Sequence, residues 1–412
     1  MTAKSINYTG IKLTLIIISL SQLGSLAISS VISEIVEAFP ATSDQTVQFL
    51  MTFPGLFILI TSLLSASLTR VIPQKKLAIA GLILNTATAF GGLLFRGSIV
   101  FLFCWAATLG LGLGLWMPIV NAMVSQFFEG NERASLMGKV SSAQNIGAIF
   151  MTVAGGALAV LSWHYVYLVY FIAVPGLICA VIFLPNGKSG KEAATESVEH
   201  AKKSSVNLSE LGIDGSVVLF SAIQFCFSLP YNAGPANFSL LLAESGIGNA
   251  STAGLLSGLF LFGGIISGWF FGTLNKWVGK QTISIGYLLL VLGFLGLGWA
   301  HTLPVYILFT IIGGMSLPLV LSQASLGVVE NKRPEQFAMA SAVLLAFGNL
   351  GAFCSPFTTS LSALVTGSGA ISTRLLFCAA LSVAGAVITA VIIKFRKERK
   401  NVFNQQTIRH RS

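Results

Sequence analysis

The sequence predicts an all-α membrane protein: twelve transmembrane helices in two six-helix bundles related by pseudo-two-fold symmetry. Three observations carry this expectation. The chain has more apolar surface than a water-soluble core can absorb, it divides into twelve apolar segments of spanning length, and it repeats internally at offsets of 204 and 206 residues.

Composition comes first. Of 412 residues, 54% are hydrophobic and 9% charged, where an ordinary soluble domain carries roughly 25% charged residues. Mean hydropathy is +0.83. Only lipid can solvate such a surface, and in lipid each backbone polar group must be satisfied within the protein. A span then needs roughly 20 apolar residues. Charge, Pro and Gly punctuate the chain into spans 11–36, 45–68, 77–95, 99–124, 139–161 and 165–184, then 213–240, 251–273, 282–300, 303–326, 338–365 and 372–393. The first of these is too long for a signal peptide and lacks a small-residue cleavage site.

The net charge of +10 would suggest nucleic acid in a soluble protein. Its placement excludes that partner. Among the Lys and Arg residues only Arg96 and Arg374 fall in segments placed outside; the rest lie at the termini and in alternating loops, as the positive-inside rule requires. Both termini are therefore expected on the cytoplasmic side of the cell membrane. The expected divisions are an N-terminal bundle 1–184, a cytoplasmic linker 185–212, a C-terminal bundle 213–393 and a basic tail 394–412. The linker is rich in Lys, Glu, Ser, Ala and Gly, a composition that suits a flexible connector. A monomer is expected.

The repeat relates the two halves. Thr69-Arg70-x-x-Pro73-Gln74 matches Asn275-Lys276-x-x-Gly279-Lys280, and Asn145-Ile146-Gly147-Ala148 matches Asn349-Leu350-Gly351-Ala352. Duplicated bundles can rock about a midplane site and open it to each side in turn. Gly147, Ala148, Gly155 and Gly156 form a strip of small groups interrupted by Met151, which lets helix backbones approach closely in lipid. Gly351 falls at the equivalent place in the second half, and Asn145 and Asn349 are expected to bond between helices. Gly110, Gly112 and Gly114 suit close packing or a bend.

These segments resemble the major facilitator superfamily, and the resemblance spans nearly the whole chain. The family loop G-x-x-x-D-R-x-G-R-K has Ser65 at its Gly, Thr69 at its Asp and Arg70 at its Arg, so it lacks the acid here. Glu132-Arg133 followed by Leu136-Met137-Gly138 resembles the loop between the fourth and fifth spans. Gly138, Gly147, Gly155 and Gly156 fit the fifth-span pattern G-x8-G-x3-G-P-x2-G-G of drug–proton antiporters, with Met151-Thr152 replacing its Gly-Pro and Ser355-Pro356 at the corresponding place in the second half. The stretch Ile35 to Pro40 resembles the first extracellular turn of bacterial efflux members. The resemblance implies a secondary transporter, with Arg70, Glu132, Arg133 and Lys276 at a cytoplasmic gate.

No Arg, Lys, His, Asp or Glu is expected near a midplane, which disfavours a fixed anion as substrate. The deep polar residues are Gln22, Asn121, Gln144, Gln224, Tyr231, Asn232 and Gln323, and Trp116 joins them as an apolar grip. In the family such spans line the central cavity, so these are candidate substrate contacts; interhelical hydrogen bonding is the alternative. Glu34 and Glu37 end the first span and Asp214 opens the seventh, and Glu34 is the candidate for proton coupling. Five cysteines without CxxC spacing, four scattered histidines, and the lack of HExxH or GxSxG give no expectation of an enzyme, a metal or a cofactor. The expected function is proton-linked efflux of a neutral or amphipathic small organic molecule. The alternative is an uptake symporter or facilitator for a polar neutral solute.

Overall fold

The computed structural model describes residues 7–69, 71–94, 97–185, 213–330, 332 and 334–409. Arg70, Arg96 and nearly all of the expected linker fall outside the described residues. Twelve helical segments follow: α1 Tyr8–Ala38, α2 Asp44–Leu68, α3 Gln74–Thr88, α4 Ile99–Phe127, α5 Gly130–Ala159 and α6 Trp163–Phe183. The second set is α7 Gly215–Ser245, α8 Ala250–Val278, α9 Thr282–Trp299, α10 Leu303–Val329, α11 Pro334–Thr366 and α12 Ile371–Arg409. The fold is all-helical, as expected.

Several boundaries differ from the sequence reading, each for a local reason. Helix α5 begins at Gly130, so Glu132 and Arg133 stand in its first turn instead of a loop. The α12 helix continues through the basic tail to Arg409. Arg374, expected in an outer segment, is 5% exposed on the first turn of α12, which draws its side chain among the helices.

Helix α1 is not uniform. Its middle, Gly24–Val31, is a 3-10 stretch. The hydroxyls of Ser29 and Ser30 donate back to the carbonyls of Leu26 and Ala27 at 2.7 and 3.0 Å, and such back-bonding bends a helix locally. Prolines stand inside α2, α4 and α11 at Pro54, Pro118 and Pro356. Each removes a backbone donor that lipid cannot replace. Beside Pro356 the hydroxyls of Thr358 and Thr359 donate to the carbonyls of Ser355 and Pro356, both at 2.7 Å.

Burial is inverted relative to a soluble protein. Trp269 is 88% exposed and Leu364 82%, whereas Gln48, Asn237, Ser221 and Thr310 are wholly buried. Large, mainly apolar side chains face outward as lipid demands, while these polar ones are drawn inside.

By their contacts the described residues fall into two compact units. The first holds the N-terminal half together with Pro235–Leu261, and the second holds the described residues from 213 to Gly234 and from Phe262 onward. In the first, α4 carries three glycines that serve two neighbours. A Cβ on Gly110 would lie 2.4 Å from the Pro54 carbonyl oxygen of α2, one on Gly114 2.9 Å from that of Ile58, and one on Gly112 2.7 Å from that of Gly81 in α3. In the second unit, Gly293 of α9 meets Gly313 of α10, where an added Cβ would sit 2.6 Å from its Cα. Backbones at such distance replace hydrophobic burial as the packing force in lipid.

Candidate functional site

Three groups of polar side chains stand where the helices meet. The first joins α1 to α5. Gln144 Nε2 donates to Gln22 Oε1 at 2.8 Å, tying together two of the expected substrate contacts. Two residues further along α1, the Tyr170 hydroxyl of α6 donates to the Gly24 carbonyl at 3.2 Å. Gly147 makes this possible, because α5 lies so close to α1 that a Cβ there would stand 1.9 Å from the Leu20 carbonyl oxygen.

The second group lies within the first unit, between its N-terminal helices and Pro235–Leu261. Ser29 and Ser257 share a hydrogen bond of 2.9 Å. Gln48 Nε2 donates to Asn237 Oδ1 at 2.9 Å, and both residues are wholly buried. The Ser33 and Ser239 hydroxyls lie within hydrogen-bonding distance of each other and, at 2.9 and 3.3 Å, of Glu34 Oε2, so that one of them donates to the carboxylate and the other to its fellow hydroxyl. Beside these bonds run glycines. A Cβ on Gly156 would lie 2.4 Å from the Ala250 carbonyl oxygen, and one on Gly254 2.4 Å from that of Thr152. The seam is therefore built of bare backbone and neutral hydrogen bonds, with Glu34 at its rim. Sequence reading marked Gly156 and Glu34 but missed Ser29, Gln48, Ser239 and Asn237. Uncharged residues in a span carry no signal until their partners are known.

The third group belongs to the second unit. Gln224 of α7 and Gln323 of α10 are 3% and 4% exposed. Gln224 Nε2 reaches Ser228 Oγ only at 3.4 Å, and Asn232 Nδ2 donates to the carbonyl of Ser228 at 2.9 Å within the same helix. Tyr231 stacks on Phe227 with ring centroids 5.4 Å apart, and Phe227 meets Tyr287 edge-on at 5.1 Å. The Tyr287 hydroxyl donates to the Ile223 carbonyl at 3.0 Å. Gly351 of α11 approaches α7, since a Cβ on it would stand 2.5 Å from the Phe225 carbonyl oxygen.

Other expected residues take different places. Trp116 is wholly buried, with Gly81 packed against its ring. Asn145 bonds to the Ser141 carbonyl of its own helix at 3.0 Å, and Asn349 is exposed. For Asn145 the expected interhelical bond is therefore corrected: an amide can satisfy itself one turn back on its own helix. Asn121 is exposed on α4.

Charge pairs tie helix ends to neighbouring loops. In the first unit the Lys12 ammonium pairs with Glu132 and lies 5.3 Å from the centre of the Phe128 ring. In the second, Lys280 pairs with Glu330, and Lys332 with Asp214 at 2.8 Å. The Lys12–Glu132 and Asp214–Lys332 pairs occupy similar places in the two halves with their charges exchanged. Partial burial alone would raise the Asp214 carboxyl, but Lys332 and the helix N–H groups of Val217 and Ser216 outweigh it and hold the carboxyl below its ordinary value. Of the expected gate residues, Arg133 and Lys276 are exposed.

The profile of the Major Facilitator Superfamily matches residues 14–356. The chain belongs to that superfamily. It is a multi-pass membrane protein and a secondary transporter of small molecules, not an enzyme. Protein TsgA of Salmonella paratyphi B is 28% identical over 324 residues, covering 77% of this chain and 76% of its own. TsgA of Salmonella typhi matches equally. Among solved structures, an inward-facing bacterial homologue of the human lysosomal transporter Spinster superposes with a TM-score of 0.72 at 15% identity, covering 94% of this chain and 96% of that one. The nucleoside transporter NupG superposes at 0.71 with 14% identity, covering 93% and 99%. At such identities the likeness is one of fold.

Proposed function

We propose that the protein carries a neutral or amphipathic small organic solute across the cytoplasmic membrane by alternating access, with both termini in the cytoplasm. The observation that carries this reading is the seam of Ser29–Ser257, Gln48–Asn237 and Gly156–Gly254. A passage between two bundles needs one end that closes tightly yet reopens. Neutral hydrogen bonds contribute on average only ~0.6 kcal/mol each in a membrane interior, and glycine contacts interlock no side chains. Such a seam holds water out and still separates at modest cost. The deep polar side chains brought together here are amides and hydroxyls, which suit an uncharged solute.

Glu34 favours a second element of the reading, proton-linked efflux. Its carboxylate lies beside the Ser33–Ser239 hydroxyl pair and accepts from it at the rim of the seam. Purified protein in proteoliposomes tests both parts, with labelled neutral solutes including a nucleoside, the cargo of the nucleoside transporter NupG. Saturable flux above that of empty vesicles is expected, and none for any solute would defeat the transport of neutral cargo. Acceleration by an imposed pH gradient, lost in Glu34→Gln, supports coupled efflux. Flux indifferent to the gradient supports facilitated movement, the uptake alternative.

A further inference from the structure

Among the described residues of the second unit, six buried side-chain oxygens have no hydrogen-bond partner, those of Ser221, Gln224, Asn275, Thr310, Gln323 and Ser355, and two of these amide oxygens stand on facing helices. Gln224 Oε1 and Gln323 Oε1 are buried without a hydrogen-bond partner. Leaving a buried acceptor unmade costs about 1–3 kcal/mol, so such groups need an explanation. Their placement supplies one. Gly327 of α10 abuts Phe220 of α7, where a Cβ would fall 2.3 Å from the ring. Chain direction reverses three times between α7 and α10, so the two helices run oppositely. Four residues forward from Phe220 is Gln224, and four residues back from Gln323's neighbour Gly327 is Gln323 itself. One helical turn returns to the same face, which sets both amides at one level on adjoining helices. Behind Gln224 stands Gly348 of α11, whose Cβ would lie 3.3 Å from Gln224 Cγ. That glycine leaves the amide room without offering it a partner.

We propose that Gln224 and Gln323 form a paired acceptor subsite, and that the transported solute presents hydroxyl or N–H donors to it. The inference rests on the transport reading above and narrows it from neutral molecules in general to donor-bearing ones such as polyols, nucleosides or amides. Lipophiles without donors are poor cargo, because they would leave both oxygens unpaired. A site built to bond donors discriminates against analogues lacking them far more strongly than an apolar pocket discriminates by size.

Methionine resembles glutamine in length and flexibility but brings no amide. Full-length protein carrying Gln224→Met or Gln323→Met is compared with the parent by thermal unfolding without solute. Proteoliposome flux is then measured with myo-inositol, uridine and their O-methylated derivatives. The expected result is an unfolding temperature equal to or above the parent's, since an unpaired buried group has been removed. Flux of the donor-bearing probe falls by roughly 5- to 150-fold, and the parent discriminates against the O-methylated probe by a similar factor. A lower unfolding temperature in the variants would show that the amides are already satisfied within the fold, and would overturn the proposal. Undiminished flux in both variants, or equal flux of methylated and free probes in the parent, would also overturn it. A parent that moves none of the probes fails the transport reading, while the unfolding comparison still decides whether the oxygens lack partners.

Discussion

Replacing Gly147 by leucine will strip the membrane of folded protein. The position leaves no space for even a methyl group, because an added Cβ would stand 1.9 Å from the Leu20 carbonyl oxygen and 2.5 Å from its carbon. What it meets is backbone, which cannot rotate aside. Helix α5 must then withdraw from α1, breaking the Gln22–Gln144 bond and the contacts around Gly24. Overpacking costs about 1–3 kcal/mol where side chains can adjust, and more where two helix axes must part. Losses of 1–2 kcal/mol already change cellular abundance several-fold. Quantitative immunoblotting of membranes should show at least a several-fold drop. Parent-like levels would mean that α1 and α5 do not approach as described.

Gly254→Leu should behave differently, although its clash is also with backbone. A Cβ there would lie 2.4 Å from the Thr152 carbonyl oxygen and 3.1 Å from the Gly156 Cα. This contact belongs to the seam, where α8 meets α5, and not to the packing of α5 on α1. A leucine wedged into it penalises only the closed seam. With a penalty of about 1–3 kcal/mol, the closed population falls by roughly 5- to 150-fold, and transport, which must visit it in every cycle, falls with it. Abundance and elution as a single species should stay near the parent's. Loss of protein in step with loss of flux would make this contact structural instead of a moving part.

The contrast between these glycines explains what could be read beforehand. Helical class and repeat were legible because hydropathy and spacing are properties of the chain alone. The small strip of Gly147, Gly155 and Gly156 was legible too, since tight packing in lipid selects small residues wherever it occurs. Its division of labour was not: Gly147 faces α1 while Gly156 faces α8, and one spacing serves both. Trp116 read as a grip for solute because aromatic residues suit pockets, and only the fold shows Gly81 lying against its ring. The Lys12–Glu132 and Asp214–Lys332 pairs escaped notice because each joins residues over a hundred positions apart. Ser29, Ser33, Ser239 and Ser257 escaped for another reason. A serine in a span usually bonds its own helix, as Ser29 also does, so only the fold discloses the second partner.

The central claim is that the seam opens and closes as solute crosses. Ser29 and Ser257 offer the most direct test, because their hydroxyls are 2.9 Å apart, and cysteines at paired positions this close can reach the Cβ separation of about 3.8 Å that a disulfide requires. Ser29→Cys and Ser257→Cys are introduced together into a chain whose five native cysteines are replaced. Solute flux in proteoliposomes is then measured before oxidation, after it, and after reduction. The account predicts that cross-linking forms readily, halts flux, and that reduction restores it. Cross-linked protein that transports at the uncross-linked rate would contradict the account, because solute would then be passing without the seam ever parting.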